Sequence, residues 1–152
     1  MKRFSLLCLI ALSISGCKKE NEAIEQTFFV NAYYTYSDYP DYGNKIAENT
    51  YVALHKDNGN GIDIERINPL APTLFDNKGN ELPLWCVSSS ITGVNIFEDI
   101  PNGKYVILVV HAPYPFVHYY SYKKINVNYD YRATTEKILF DRSKDSGYQS
   151  WK

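Results

Sequence analysis

The stretch KYVILVVH (104–111) constrains the fold more than any other part of the chain. Six consecutive residues, Tyr105 to Val110, are apolar, so a strand here is buried on both faces and needs cover on each side. Most other apolar segments alternate instead. TFFVNAYYTY (27–36) places Phe28, Val30, Ala32, Tyr34 and Tyr36 on one face, the period of a strand with one buried side. NTYVALHKD (49–57) reads as a second strand with Val52 and Leu54 inward, and GIDIERI (61–67) alternates again. TLFDNKGNELPLWCV (73–87) reads as a hairpin turning at Asp76–Asn80, and Ser88–Ser90 as a strand-end turn. ITGVNIF (91–97), HYYSYKKINVNYD (118–130) and TTEKILF (134–140) complete the set. Turn formers such as SDYPDYGN (37–44) and NGNG (58–61) punctuate it, and no segment keeps helical periodicity beyond about two turns. The pattern predicts an all-β chain: a single antiparallel β-sandwich of seven or eight strands over residues 27–141, followed by a polar tail, 142–152, that frays unless Trp151 docks.

The most informative turn is FEDIPNGKYVILV (97–109). Pro101 pre-sets one turn position, Asn102 accommodates the positive φ that follows, and Gly103 releases the chain into the next strand. Phe97 and Ile100 then lie beneath the turn and Tyr105 over it. This F-x-x-I-P-x-G-x-Y-x-x-x-V arrangement resembles the transthyretin-like (prealbumin-like) sandwiches, among them carboxypeptidase regulatory-like and collagen-adhesin B-type modules. YVALHK (51–56) and TTEKILF (134–140) resemble their early and closing strands. The region 58–95 is longer and richer in proline than such modules require. The resemblance implies a structural or adhesive role and brings no catalytic residues.

The first residues carry a different signal. Lys2 and Arg3 precede an apolar run from Phe4 to about Ile14, too short to span a bilayer but the length of a signal-peptide core. Ser13-Ile14-Ser15-Gly16-Cys17 resembles a bacterial lipobox, which implies a lipoprotein signal peptide at 1–16 and lipid on Cys17. Several acyl chains on one cysteine make a lasting anchor. The lysine at position 18, where an aspartate tends to retain lipoproteins in the inner membrane, implies the outer membrane, on its periplasmic face or at the cell surface. Residues 17–26 read as a solvated tether, and Lys18–Glu22 also resembles the charged surface-export signals of Bacteroidetes lipoproteins.

Composition narrows the function. Of 16 basic residues, 14 remain once Lys2 and Arg3 leave with the leader; against 17 acidic residues the net charge is −3. Nothing clusters into the basic face that a nucleic-acid partner requires. Cys8 departs with the leader and Cys17 carries lipid, so Cys86 stands alone and reads as a small apolar residue buried beside Trp85. His55, His111 and His118 lack a close pair, so no metal site is expected. DNGNGIDIE (57–65) puts glycine where a calcium loop needs ligands. There is no G-x-S-x-G elbow and no signature of a catalytic cysteine. The expectation is a protein that is not an enzyme and uses no cofactor.

What remains is tyrosine, 14 of 152 residues. YYTYSDYPDY (33–42) and HAPYPFVHYY (111–120) each gather rings around a proline bend. Pro113 and Pro115 are expected to end strand pairing and present Tyr114 and Phe116 in a loop. Rings held this way suit protein contact or sugar stacking. Tyr39, Tyr42, Tyr114, Phe116 and Tyr119 are the candidate binding residues. Two roles compete: a protein-binding or structural envelope module, either adhesive or an outer-membrane subunit of a trans-envelope assembly, and a glycan-binding lipoprotein. The lack of a tryptophan platform favours the first.

Overall fold

The computed structural model describes residues 27–128 and 133–152. The leader 1–16, the segment 17–26 and the lipidation candidate Cys17 lie outside them. Nine strands form among the described residues: β1 (Thr27–Thr35), β2 (Lys45–Ile46), β3 (Thr50–Lys56), β4 (Leu84–Ser90), β5 (Val94–Glu98), β6 (Gly103–Tyr114), β7 (Val117–Val127), β8 (Ala133–Asp141) and β9 (Gly147–Tyr148). Among these residues helix is confined to two three-residue 3-10 turns, Pro40–Tyr42 and Ile64–Arg66. The chain is all-β, and no helix in this region is long and apolar enough to cross a membrane.

One sheet runs β4-β3-β6-β7-β9; in the other, β1 is flanked by β8 on one edge and by β2 and β5 on the opposite edge. Their facing sides share one core. Phe28, Val30, Phe97, Ile138 and Phe140 from one sheet meet Val52, Leu54, Tyr105, Ile107 and Val109 from the other. Asn95 Nδ2 donates across the gap to Thr50 Oγ1 at 3.0 Å.

The double-faced character of β6 has a direct cause. Its odd-numbered residues enter that shared core, while Val106, Leu108 and Val110 pack on the far side against Ile62, Ile67, Leu74 and Leu82. The excursion between β3 and β4 therefore covers the outer face of the sheet. Each such side chain taken fully out of water contributes roughly 1.5–3 kcal/mol. The cover is tied by Asp76, which accepts from Asn58 Nδ2, Asn60 Nδ2 and the backbone N–H groups of Lys78 and Asn80 at 2.8–2.9 Å. Burial works against its charge, but the hydrogen bonds from Asn80, Asn58 and Asn60 prevail and hold its pKa well below the usual carboxylate range. His55 Nδ1, within 3.0 Å of the Leu82 carbonyl, joins cover to sheet.

Several expectations are corrected. Pairing is mixed: β8 runs parallel to β1 over Thr27↔Ala133 to Thr35↔Asp141, and β9 runs parallel to β7. β7 ends beside the start of β6, and the chain enters the other sheet there, which aligns β8 with β1. GIDIERI is no strand, because the Asp63 side chain accepts from Glu65 N and turns the chain into a 3-10 turn. The turn at 76–80 forms, but beyond Glu81 its second arm leaves to pair with β3, and that strand continues through Ser88–Ser90. At the Pro101 turn the positive φ falls on Asp99 (54°) rather than on Asn102. Tyr105 is fully buried over that turn, and its hydroxyl donates to the Pro101 carbonyl at 2.8 Å. Residues 142–152 are pinned: Gln149 exchanges two 2.8 Å hydrogen bonds with the Asp141 backbone, and Trp151 packs against the core.

Candidate functional site

The two tyrosine-rich stretches meet at one end of the molecule. β1 runs towards this end, so Tyr34 and Tyr36 arrive there while Thr27 lies at the other, about 27 Å away at strand rise. Tight turns follow, with Tyr39 N donating to Tyr36 O and Tyr42 N to Tyr39 O, at 3.0 and 3.1 Å. They bring Tyr36 edge-on to Tyr42 and tilt Tyr42 against Tyr39, with ring centroids 6.4 and 5.8 Å apart. The loop is locked to the residues after β8. Ser37 N donates to Asp141 Oδ1, Asp38 N to Ser143 Oγ, and Arg142 N to Thr35 O. That register sets the Arg142 guanidinium 4.6 Å from the Tyr34 ring and 5.3 Å from the rings of Tyr36 and Tyr114. One cation thus joins both aromatic stretches.

Beneath it lies His111, buried, its ring stacked on Tyr34, Phe140 and Tyr119 with centroids 5.7, 5.9 and 6.1 Å apart. Its Nδ1 is 2.8 Å from the Glu48 carbonyl, which fixes a neutral tautomer with Nδ1–H donating; its Nε2 is buried without a partner. Burial, aided by the Arg142 charge, pushes its pKa down to about 4. A hollow of about 260 Å³ opens here, lined by Tyr34, Glu48, Asn49, Pro113, Tyr114 and Arg142 along with His111. It combines an aromatic wall, a cation, a carboxylate and an amide. A larger hollow of about 400 Å³ lies between the end of β8 and the tail, but the side chains of its Asp141 and Gln149 are already bonded to backbone groups.

Of the candidate rings, Tyr39, Tyr42 and Tyr114 are each 61% exposed and Phe116 is 96% exposed. The fifth candidate, Tyr119, is corrected by the structure. It is only 6% exposed and belongs to the core, because it pairs with His111 and shares that residue's inward face. Nor do the prolines end β6. A register shift between His111 and Tyr114 carries pairing on to Tyr114↔Val117, leaving a two-residue turn of Pro115 and Phe116. Phe116 holds φ at 70°, a region that favours glycine. Neither packing nor backbone preference calls for phenylalanine there.

Arg142 was missed in the sequence, where it sits in the polar tail. Its one signal is a cation two residues after Phe140, directly past the end of β8 at Asp141. Cys86 is half-buried against the core, and burial raises its thiol pKa. Trp85 points the other way and is half-exposed, with Lys56 Nζ 4.5 Å from its ring centroid. Neighbouring residues on an edge strand face opposite sides. Among the described residues no group of three His, Cys, Asp or Glu side chains is placed to hold a metal ion.

No protein-family model matches the chain, and no curated protein matches it. Among solved structures it is similar to a candidate carbohydrate-binding protein from Pseudomonas aeruginosa, at 19% identity and a TM-score of 0.43. The match covers 78% of this chain and 88% of that one. A likeness at that level decides neither fold family nor ligand.

Proposed function

We propose that this chain is a lipid-anchored, non-enzymatic binding module of the bacterial outer membrane, built as a transthyretin-like β-sandwich, that takes a saccharide at its aromatic end. The anchor rests on the lipobox at Cys17. The sandwich reading is supported by the shared core of the two sheets and the buried Tyr105 over the Pro101 turn. The saccharide reading rests chiefly on one observation: the hollow that joins Tyr34 and Tyr114 also presents Glu48, Asn49 and Arg142. A sugar offers an apolar ring face and a fringe of hydroxyls, which such a lining complements. The site also lies at the far end of β1 from Thr27, about 27 Å from where the segment following Cys17 joins the fold, which leaves it clear of the proposed anchor.

A protein partner is the second reading, favoured by a separate surface. The outer face of the β1 sheet exposes Ile46, Val94 and Ile96 beside Phe29 and Tyr33. An uncovered apolar strip of this kind is typical of contact surfaces.

Titrating the purified chain against immobilised polysaccharides should give saturable binding that Tyr114→Ala weakens several-fold. Absence of saccharide binding, together with capture of one envelope protein by crosslinking in cells through the Ile46–Val94–Ile96 face, would decide for the second reading.

A further inference from the structure

We infer that the hollow selects an acidic saccharide, with Arg142 receiving the carboxylate of a uronic acid-type ring that stacks on Tyr114. This rests on the saccharide reading above and narrows it to a ligand class.

The guanidinium carries the argument. Three tyrosine rings surround Arg142, yet among the described residues no carboxylate lies within ion-pairing distance of it. The chain has acids nearby and uses them elsewhere. Asp141 accepts from the N–H groups of Ser37 and Ser143, with Lys144 Nζ 3.9 Å from its other oxygen. Aromatic rings hold a cation without taking up its in-plane N–H donors. Those donors match a carboxylate in a fork that lysine does not offer. The planar cation is also fixed in place, because its backbone N–H is bonded to Thr35 and its side chain is packed on both aromatic stretches.

The remaining lining fits the rest of such a ligand. Tyr114 is exposed and offers a stacking face, while Asn49 and the exposed Glu48 supply partners for hydroxyls. Glu48 also disfavours an anion placed on its own side of the hollow, which orients the carboxylate towards Arg142. A volume of about 260 Å³ is below the roughly 300–1,000 Å³ of sites that enclose drug-sized ligands. One ring enters, and the rest of the polymer stays outside against Tyr39, Tyr42 and Phe116.

The test uses the purified chain with polygalacturonate and alginate oligosaccharides, each beside its methyl-esterified, uncharged counterpart. The acids are expected to bind at least tenfold more tightly than the esters, with a preference that shrinks as salt is added. Arg142→Gln should erase the preference, and Arg142→Lys should keep part of it, with thermal melts reporting that both variants fold. Equal binding of acids and esters by the wild-type chain overturns the inference, a comparison that stands even where Arg142→Gln does not fold. A preference that survives in folded Arg142→Gln overturns it too. Binding of neutral polysaccharides alone removes this inference and leaves the saccharide reading; binding of no saccharide removes both.

Discussion

Tyr34 and His111 stack with ring centroids 5.7 Å apart and planes only 10° apart, one ring from each sheet. The contact closes the shared core at the end where the hollow opens. It also makes the site sensitive to acid, because the imidazole is buried, neutral and close to Arg142.

The direction of that sensitivity follows from the pKa of His111, about 4 in the fold against 6.5 when unfolded. Above pH 6.5 neither state holds the proton. As the pH falls from there towards 4, the unfolded chain takes up a proton that the folded chain refuses, and stability drops; below 4 both are protonated and the loss levels off. Between pH 7 and 5 this amounts to about 2 kcal/mol. His55, also lowered by burial, acts in the same direction. Asp76 and Asp141, both held below their ordinary range, titrate only in stronger acid. Urea unfolding at pH 7, 6 and 5 should show the slope, and His111→Phe, which keeps the stack, should flatten much of it. A variant as acid-sensitive as the wild type would assign the slope to other groups.

Phe116 separates stability from binding. At φ 70° a side chain with a Cβ is disfavoured by about 1 kcal/mol, and at 96% exposure the ring recovers nothing from the fold. Phe116→Gly should therefore raise stability by up to about 1 kcal/mol while weakening ligand binding several-fold. Calorimetric melts and a binding titration on the same preparation check both halves. A destabilised variant, or one with unchanged affinity, would mean that the ring serves the fold or nothing at all.

Much of the fold was legible because it is written locally. Alternation marked β1 and β3, and the unbroken apolar run marked β6 as central. The Pro101 turn announced the packing of Phe97, Ile100 and Tyr105. What stayed hidden depends on distant neighbours. Strand direction is not a local property, so the parallel pairing of β8 with β1 left no trace in 134–140. The Asp63 turn overrode the alternation of 61–67. Tyr119 and Tyr114 belong to the same ring-rich stretch, yet one is core and the other surface, because a register shift after His111 lies between them. Arg142 gains its importance only from three rings brought to it by different strands.

The covering excursion can be tested on β6. Ile107 faces the shared core and Leu108 the cover, and both are fully buried. Truncation of either to alanine should cost about 2–5 kcal/mol. A β6 backed by a single core would leave Leu108→Ala near neutral. Equilibrium unfolding of both variants decides, and a near-neutral Leu108→Ala would mean that 58–83 does not pack on the sheet as described.

The anchor is the remaining test, and the fold makes it a clean one. Cys17 lies ten residues before Thr27, where β1 begins, and β1 carries the chain about 27 Å to the hollow at its far end. Lipid and ligand are therefore expected to be independent. Cells expressing the wild-type chain and fed a palmitate analogue should label it in the outer-membrane fraction. Cys17→Ala should lose the label and leave that fraction, since several acyl chains supply the membrane affinity at about 0.8 kcal/mol per buried methylene. The purified Cys17→Ala chain should still bind saccharide with wild-type affinity, because nothing in the hollow changes. Undiminished labelling of the mutant would refute the lipobox. Loss of saccharide binding on removal of the lipid would refute a site at the end of β1 remote from the tether.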